Sequence, residues 1–176
     1  MQRSQCLILA VCLVISIGVG AQEPTGEYRL KAAFVARFPE FVEWPPPAWE
    51  GRATLDVCVT SPNPFGLALA DIVRGERVRG RSVVVHEIAG DSDMSNCHVL
   101  FVASDAGRAA VVKRAAARPI LTVGDGPRFL DEGGIVQFRL VDNRIRFEIS
   151  AEAAQRVGLR LSPQLLRLAS DVRGEL

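Results

Sequence analysis

Two cysteines, two histidines and a few short polar clusters hold most of the chemistry this chain offers. Cys58 and Cys97 stand 39 residues apart. In an oxidising compartment such a pair reads as a disulfide, and the alternative is two buried free thiols that pack as small hydrophobes. A bridge closing a loop of that size contributes about 3 to 4 kcal/mol in the chain-entropy account. His98 lies in the most apolar stretch of the sequence, where it reads as a satisfied core residue, and His86 stands beside Glu87 near a strand end. No H-E-x-x-H spacing, glycine-rich phosphate loop or nucleophile elbow accompanies them, so neither a metal nor any other cofactor is expected.

Candidate binding residues lie in four places. Gly124-Asp125-Gly126 and Ser104-Asp105 each follow an apolar strand, and loops beyond strand C-termini are where open α/β sheets bind small molecules. Ser104, Asp105, Gly124 and Asp125 are therefore the candidate ligand residues, against a plainer reading of Asp105 and Asp125 as caps in turns. In the run from Asp142 to Glu148, alternation puts Arg144, Arg146 and Glu148 on one face and Ile145 and Phe147 on the other. Phe34, Phe38 and Phe41 continue a stripe from Leu30, with Trp44 beyond it. Phe34, Phe38, Phe41, Trp44, Arg144 and Arg146 are the candidate partner-binding residues, against a core stripe and a solvated strand face.

The elements that must position these groups follow from periodicity. A helix is expected from Gly26 to about Trp44, capped by Thr25, kinked or split at Pro39 and ended by Pro45-Pro46-Pro47. Strands are expected at Leu55 to Thr60, Ser82 to Ile88, Cys97 to Ala103 and Pro119 to Val123, with helices at Phe65 to Arg74 and Asp105 to Ala117. A charged turn lies between Gly75 and Gly80. Strand, helix, strand in alternation implies a parallel α/β core. Gly134 to Leu140 and Arg144 to Ser150 read as a hairpin at the sheet edge, followed by helical segments at Ala151 to Val157 and Pro163 to Ala169. The expected fold is α/β: one domain, a mostly parallel sheet flanked by helices, with a C-terminal β-hairpin.

Compartment is read from the first residues. Arg3 precedes an uncharged apolar run of 14 residues, Cys6 to Val19, too short for a hydrocarbon core of about 30 Å. Val19-Gly20-Ala21 offers a cleavage site, so residues 1–21 read as a signal peptide and 22–176 as the exported domain. A retained anchor is the alternative. Cleavage leaves 20 basic and 20 acidic residues without a like-charge block, which argues against a nucleic-acid binder.

Three sets of segments, in order along the exported domain, resemble the YfiR family of periplasmic proteins. They are Tyr28-Arg29-Leu30-Lys31-Ala32-Ala33-Phe34 with Phe38 and Phe41-Val42-Glu43-Trp44-Pro45; Val57-Cys58-Val59, Pro64-Phe65-Gly66, Gly80-Arg81 and Cys97-His98-Val99-Leu100-Phe101; and Gly133 to Phe138, Asp142 to Ile149, Gly158 to Ser162 and Leu165-Leu166 with Leu168-Ala169. The chain departs from the family's helix at Ala36-Arg37 and Pro39. The resemblance implies an α/β domain, often a homodimer, that represses an inner-membrane diguanylate cyclase by binding its periplasmic region. Release would raise cyclic di-GMP and favour biofilm formation. It also implies that Cys58 pairs with Cys97. The function expected is therefore regulation by contact, without catalysis, in the periplasm. The alternatives are a small-ligand sensing or solute-binding module and, third, a hydrolase built on a convergence of His86, Asp105 and Asp125.

Overall fold

The computed structural model describes residues 25–103 and 105–174. The segment read as a signal peptide and the candidate Ser104 lie outside the described residues, none of whose helices is long and apolar enough to cross a membrane.

Helix α1 (Gly26–Arg37) starts where expected, with the Tyr28 amide donating to the Thr25 hydroxyl at 3.4 Å. Pro39 ends it. The chain passes into a 3₁₀ turn, Phe38–Phe41, and then a two-residue strand β1 (Val42–Glu43), so the stretch to Trp44, expected as one kinked helix or two short ones, is a helix, a turn and a strand. The buried stripe of α1 is also rotated from the expected one. Lys31, Ala32 and Val35 are buried, whereas Leu30 is 48% exposed and Phe34 only half-buried.

Among the described residues nine further strands and four further α-helices follow: β2 (Thr54–Thr60), α2 (Ala68–Val73), β3 (Arg77–Val78), β4 (Arg81–Ile88), β5 (Val99–Val102), α3 (Arg108–Ala115), β6 (Leu121–Asp125), β7 (Val136–Val141), β8 (Arg144–Ser150), α4 (Ala151–Arg156), β9 (Arg160–Leu161), α5 (Pro163–Leu168) and β10 (Asp171–Arg173). The main sheet has eight strands in the order β10-β8-β7-β6-β5-β2-β4-β3, and β1 pairs with β9 apart from it. Pairing is parallel from β4 through β2, β5 and β6 to β7, and β7 turns back on β8 as the expected hairpin. Asp142 and Asn143 both take positive φ at its tip, the backbone that matches the twist of a two-residue hairpin.

That hairpin is not at the sheet edge. After α4 and α5 the chain returns and β10 adds in parallel outside β8, Asp171 against Glu148 and Arg173 against Ser150. At the other edge, the charged turn between Gly75 and Gly80 contains β3, which pairs with the start of β4. Both added strands are too short to show an alternation pattern, which is why the sequence hid them.

Each sheet face carries its own core. One packs Leu55, Val57, Val59, Phe101, Phe138 and Phe147 against α1, α2, α4 and α5; the other packs Leu100 and Val102 against Val111, Val112 and Ala115 of α3. β5 is buried at all four residues, as its unbroken apolar run requires. A Cys58–Cys97 disulfide, with Cα atoms 5.7 Å apart, ties β2 to the loop before β5 on the α3 side.

Candidate functional site

The rotation of α1 leaves Phe34 on the helix flank, and three other elements meet it there. Phe38 and Phe41 come from the 3₁₀ turn, Ile145 and Phe147 from β8, Leu165 and Leu168 from α5, and together they line a groove of about 340 Å³. Phe38 and Phe147 form its floor, 2% and 4% exposed, with ring centroids 5.2 Å apart edge to face. Phe34 leans on both, at 6.2 and 5.8 Å, and the distances are those of favourable aromatic pairs. Phe34 and Phe41 are half-buried walls, and Leu168 stands 61% exposed on the lip. Large aromatic and aliphatic groups left open in a concavity are apolar area that a partner's side chains could cover.

Arginines stand at the rim. Arg37 is paired with Glu40 at 2.5 Å, which holds its guanidinium more firmly protonated than usual. Arg146 also lines the groove and is exposed, while Arg144 lies two residues nearer the hairpin tip, exposed and outside the lining. The structure thus brings together Phe34, Phe38, Phe41 and Arg146 of the candidate partner residues. Trp44 is elsewhere: 7% exposed, it packs edge-on against Trp49 at 5.6 Å and His98 at 6.1 Å. Leu165 and Leu168 were legible only as sheet cover, because their place in the groove depends on where α5 docks.

The loops after β5 and β6 look different. Asp125 accepts from the Tyr28 hydroxyl at 3.0 Å and pairs with Lys31 at 2.7 Å; Lys31 is 4% exposed and also bonds Glu27. Burial, then Asp125, pushes the Tyr28 phenol above its usual range. Arg108, 5% exposed, makes a two-pronged bond to Glu132 at 2.7 and 3.0 Å, pairs with Asp105 and donates to the Asp125 carbonyl at 3.1 Å. That hydrogen-bonded guanidinium holds the Glu132 carboxyl below its ordinary value. Asp105 is therefore an ion-pair partner rather than the expected cap, since α3 is preceded by Gly107 in the left-handed region with no side-chain cap. Gly124 leaves no cradle: a Cβ there would sit 2.4 Å from the Phe129 ring, which fills the space. The candidate ligand residues Asp105 and Asp125 are already engaged by the chain's own cations. Neither Lys31 nor Arg108 was among the candidates, although a lysine on the apolar side of a helix is a signal in itself.

The histidines belong to a third region. Asp56 of β2 donates its amide to His98 Nδ1 at 3.0 Å, which places the His98 proton on Nε2, 3.2 Å from the Ala48 carbonyl. His98 is 2% exposed and stacked on Trp49 at 4.4 Å, and burial lowers its pKa. It is a satisfied core histidine. His86 meets the Asp56 carboxylate at 2.8 Å in a polar cleft of about 640 Å³ that Glu50, Arg52 and Glu87 also line. With His86 on Asp56, and Asp105 and Asp125 gathered on Arg108, the three residues of the hydrolase reading fall into two separate clusters.

Comparison with known proteins adds two findings. The sequence profile of a family described as YfiR/HmsC-like matches residues 28–170. A solved structure, described as a conserved domain protein from Vibrio cholerae O1 biovar El Tor strain N16961, superimposes with a TM-score of 0.53 at 10% sequence identity, covering 83% of this chain and 60% of that one. At that identity the likeness is one of fold, and the chain spans about three fifths of that protein's length.

Proposed function

Because the chain belongs to the YfiR/HmsC-like family, we propose that it is a periplasmic regulator that binds and represses an inner-membrane diguanylate cyclase, and so lowers cyclic di-GMP and restrains biofilm formation. The family match across residues 28–170 carries this reading. Residues 1–21 act as a cleaved signal peptide, 22–176 form the exported domain, and the Cys58–Cys97 bridge suits the oxidising compartment it enters.

The contact we assign is the groove between α1, β8 and α5. Its occupant is a segment of the cyclase's periplasmic region that presents bulky apolar side chains to Phe34, Phe41 and Leu168 and carboxylates to Arg144 and Arg146. Apolar burial supplies affinity there, and the arginines select orientation and speed the encounter. Repression needs no chemistry: a protein that binds the inactive arrangement of the cyclase more tightly than the active one shifts the equilibrium by that difference.

The test is titration of the purified protein with the periplasmic region of the cyclase, alongside deletion of the gene. Saturable binding and a rise in cyclic di-GMP on deletion are expected. Unchanged cyclic di-GMP and surface attachment in the deletion strain would refute the reading.

A further inference from the structure

Between β1 and β2, the run Pro45-Pro46-Pro47 lacks the amides a sheet or a long helix needs, and the chain folds there as a second 3₁₀ turn, Pro46–Trp49. The backbone bonds of this turn run within its own segment. The Ala48 amide donates to the Pro45 carbonyl at 3.0 Å, Glu50 to Pro47 at 3.3 Å and Arg52 to Trp49 at 3.1 Å. None of its four residues is fully buried. His98 ties the turn to the sheet: Nε2 donates to the Ala48 carbonyl at 3.2 Å, and the ring lies on Trp49, centroids 4.4 Å apart and planes 21° from parallel. Trp44, just before the turn, meets the same ring edge-on at 6.1 Å. The backbone of His98 is fixed independently, since its amide donates to the Asp56 carbonyl at 2.8 Å and its carbonyl accepts from the Leu121 amide at 2.9 Å. Next to it, Cys97 is bonded to Cys58. The histidine therefore stays with the sheet, and the turn is the part free to move.

The contact requires a neutral imidazole. Nδ1 accepts the Asp56 amide at 3.0 Å, so a second proton would set N–H against N–H at that nitrogen. The Asp56 carboxylate lies 3.6 Å from Nδ1, and a charged ring is drawn from the amide toward it, which takes Nε2 off Ala48 and the ring off Trp49. The surrounding charges are few. Arg52, from the loop before β2, and Arg81 of β4 both oppose a positive ring, and the Arg81 guanidinium stands over the Trp49 indole at 4.2 Å. His86 of β4 meets the other oxygen of the Asp56 carboxylate at 2.8 Å, and the Thr54 hydroxyl donates to the nearer one at 2.9 Å. Glu50 and Arg118 line a cavity of about 230 Å³ that Ala48 and His98 also line. Burial is the largest influence on His98, and it acts against the charged form.

We infer that His98 is an acid-operated latch: neutral, it holds the Pro46–Trp49 turn closed against β2 and the loop that enters β5, and protonated, it releases the turn and uncovers Trp44 and Trp49. The sign follows from linkage. Once the turn is open, His98 is less buried and its pKa moves back toward the ordinary 6.5, whereas the closed turn holds it lower. Closure is therefore fully present above pH 6.5 and weakens as pH falls below it, by about tenfold for each pH unit until the pKa of the closed form is passed. Histidine is the side chain whose charge changes in this range, and a turn held to the sheet by one ring is the two-state element that the charge biases. Release presents two indoles beside the cavity at the N-terminal ends of the strands, an apolar surface that exists only in acid. The inference goes beyond the regulatory reading and does not depend on it.

The chain has two tryptophans and both touch His98, so intrinsic fluorescence reports on the latch. The experiment follows the emission wavelength and acrylamide quenching of the purified protein from about pH 8 to about pH 5, with far-UV circular dichroism alongside. The expected result is a reversible red shift and a gain in quenching below pH 6.5, the open fraction rising about tenfold per pH unit at its onset, while the dichroism stays constant. His98→Gln keeps an N–H for Ala48 and cannot titrate, so its tryptophans should stay closed over the whole range. Should that variant fail to fold, His86→Gln decides: the chain has two histidines, and the response must persist without His86, its midpoint free to move because the two share Asp56. Tryptophans equally shielded at every pH would overturn the inference. So would a red shift that coincides with loss of dichroism, a change in intensity without a gain in acrylamide access, a response that survives in His98→Gln, or one that vanishes in His86→Gln.

Discussion

Helix α1 presents two opposite solutions to the problem of a side chain at a domain surface. On the side of Lys31, charge is drawn inward and matched: Lys31 and Arg108, both nearly buried, are met by Glu27, Asp125, Asp105 and Glu132. On the side of Phe34, apolar area is left unmatched, with Phe34, Phe41 and Leu168 open around a concavity. Buried ions that lack partners cost several kcal/mol, so a cluster like the first must be complete in the isolated chain. Exposed apolar area is tolerated one side chain at a time, and its concentration in one groove is a property of a surface that expects company. The polar end of the domain therefore holds α1 in place, and the apolar side of α1 is what remains for a partner.

The contrast breaks first if the ionic cluster can lose a member cheaply. Replacing Asp125 by Ala leaves Lys31 with Glu27 alone and removes the acceptor of the Tyr28 hydroxyl, and should lower stability by about 3 kcal/mol, the low end for a broken buried pair because Asp125 is 22% exposed; denaturant unfolding measures it. A cost below about 1 kcal/mol would mean the cluster does not hold the helix.

Comparable in size but unrelated to either surface, replacing both Cys58 and Cys97 by Ser should cost about 3 kcal/mol through the unfolded chain. Calorimetry should show the melting temperature falling, with partner affinity at the groove unchanged at temperatures where the variant is folded.

Acid should act on the cluster and spare the groove. Glu132 has a folded pKa below its ordinary 4.5, so its share of stability is present above that value and is lost as pH falls through the lowered one. Unfolding free energy measured from pH 6 to pH 3 should fall less steeply in Glu132→Gln than in the unmodified protein. His98 acts in a higher window. Its folded pKa lies below 6.5, so the unfolded chain takes up the proton first and stability begins to drop as pH falls below 6.5.

The smallest effect on stability sharpens the comparison most. Leu168→Ser, on the groove lip, should change unfolding free energy by less than about 0.5 kcal/mol yet weaken the partner at least about tenfold if Leu168 is an anchor. Loss of stability without loss of binding would reverse the roles assigned to the two sides of α1.

Much of the fold was legible in the residues. The parallel core followed from strand and helix alternation, the hairpin from two alternating runs around Asp142-Asn143, and the start of α1 from Thr25. The candidate surfaces were less so. The stripe drawn through Leu30 and Phe34 misjudged the face of α1, because apolarity alone cannot know that Asp125, 94 positions away, will draw Lys31 inward. Trp44 was grouped with the phenylalanines by proximity in sequence, and the turn between them sends it to the opposite neighbourhood of Trp49 and His98. Asp105 and Asp125 were placed at the ends of strands, and only the arrival of Arg108 and Lys31 decided that they would be occupied.

By itself, the sequence determined the longer strands and helices, the hairpin that joins β7 to β8, and the family they belong to, since these depend on local periodicity, backbone preference and the order of short motifs. Tertiary structure alone decided which aromatic groups remain open, which charges are spent on one another, and that Trp49 closes on His98. Those outcomes turn on the docking of α5, α3 and the Pro46–Trp49 turn against residues distant in the chain, and no local pattern encodes the distance between two groups that meet only when the sheet has formed.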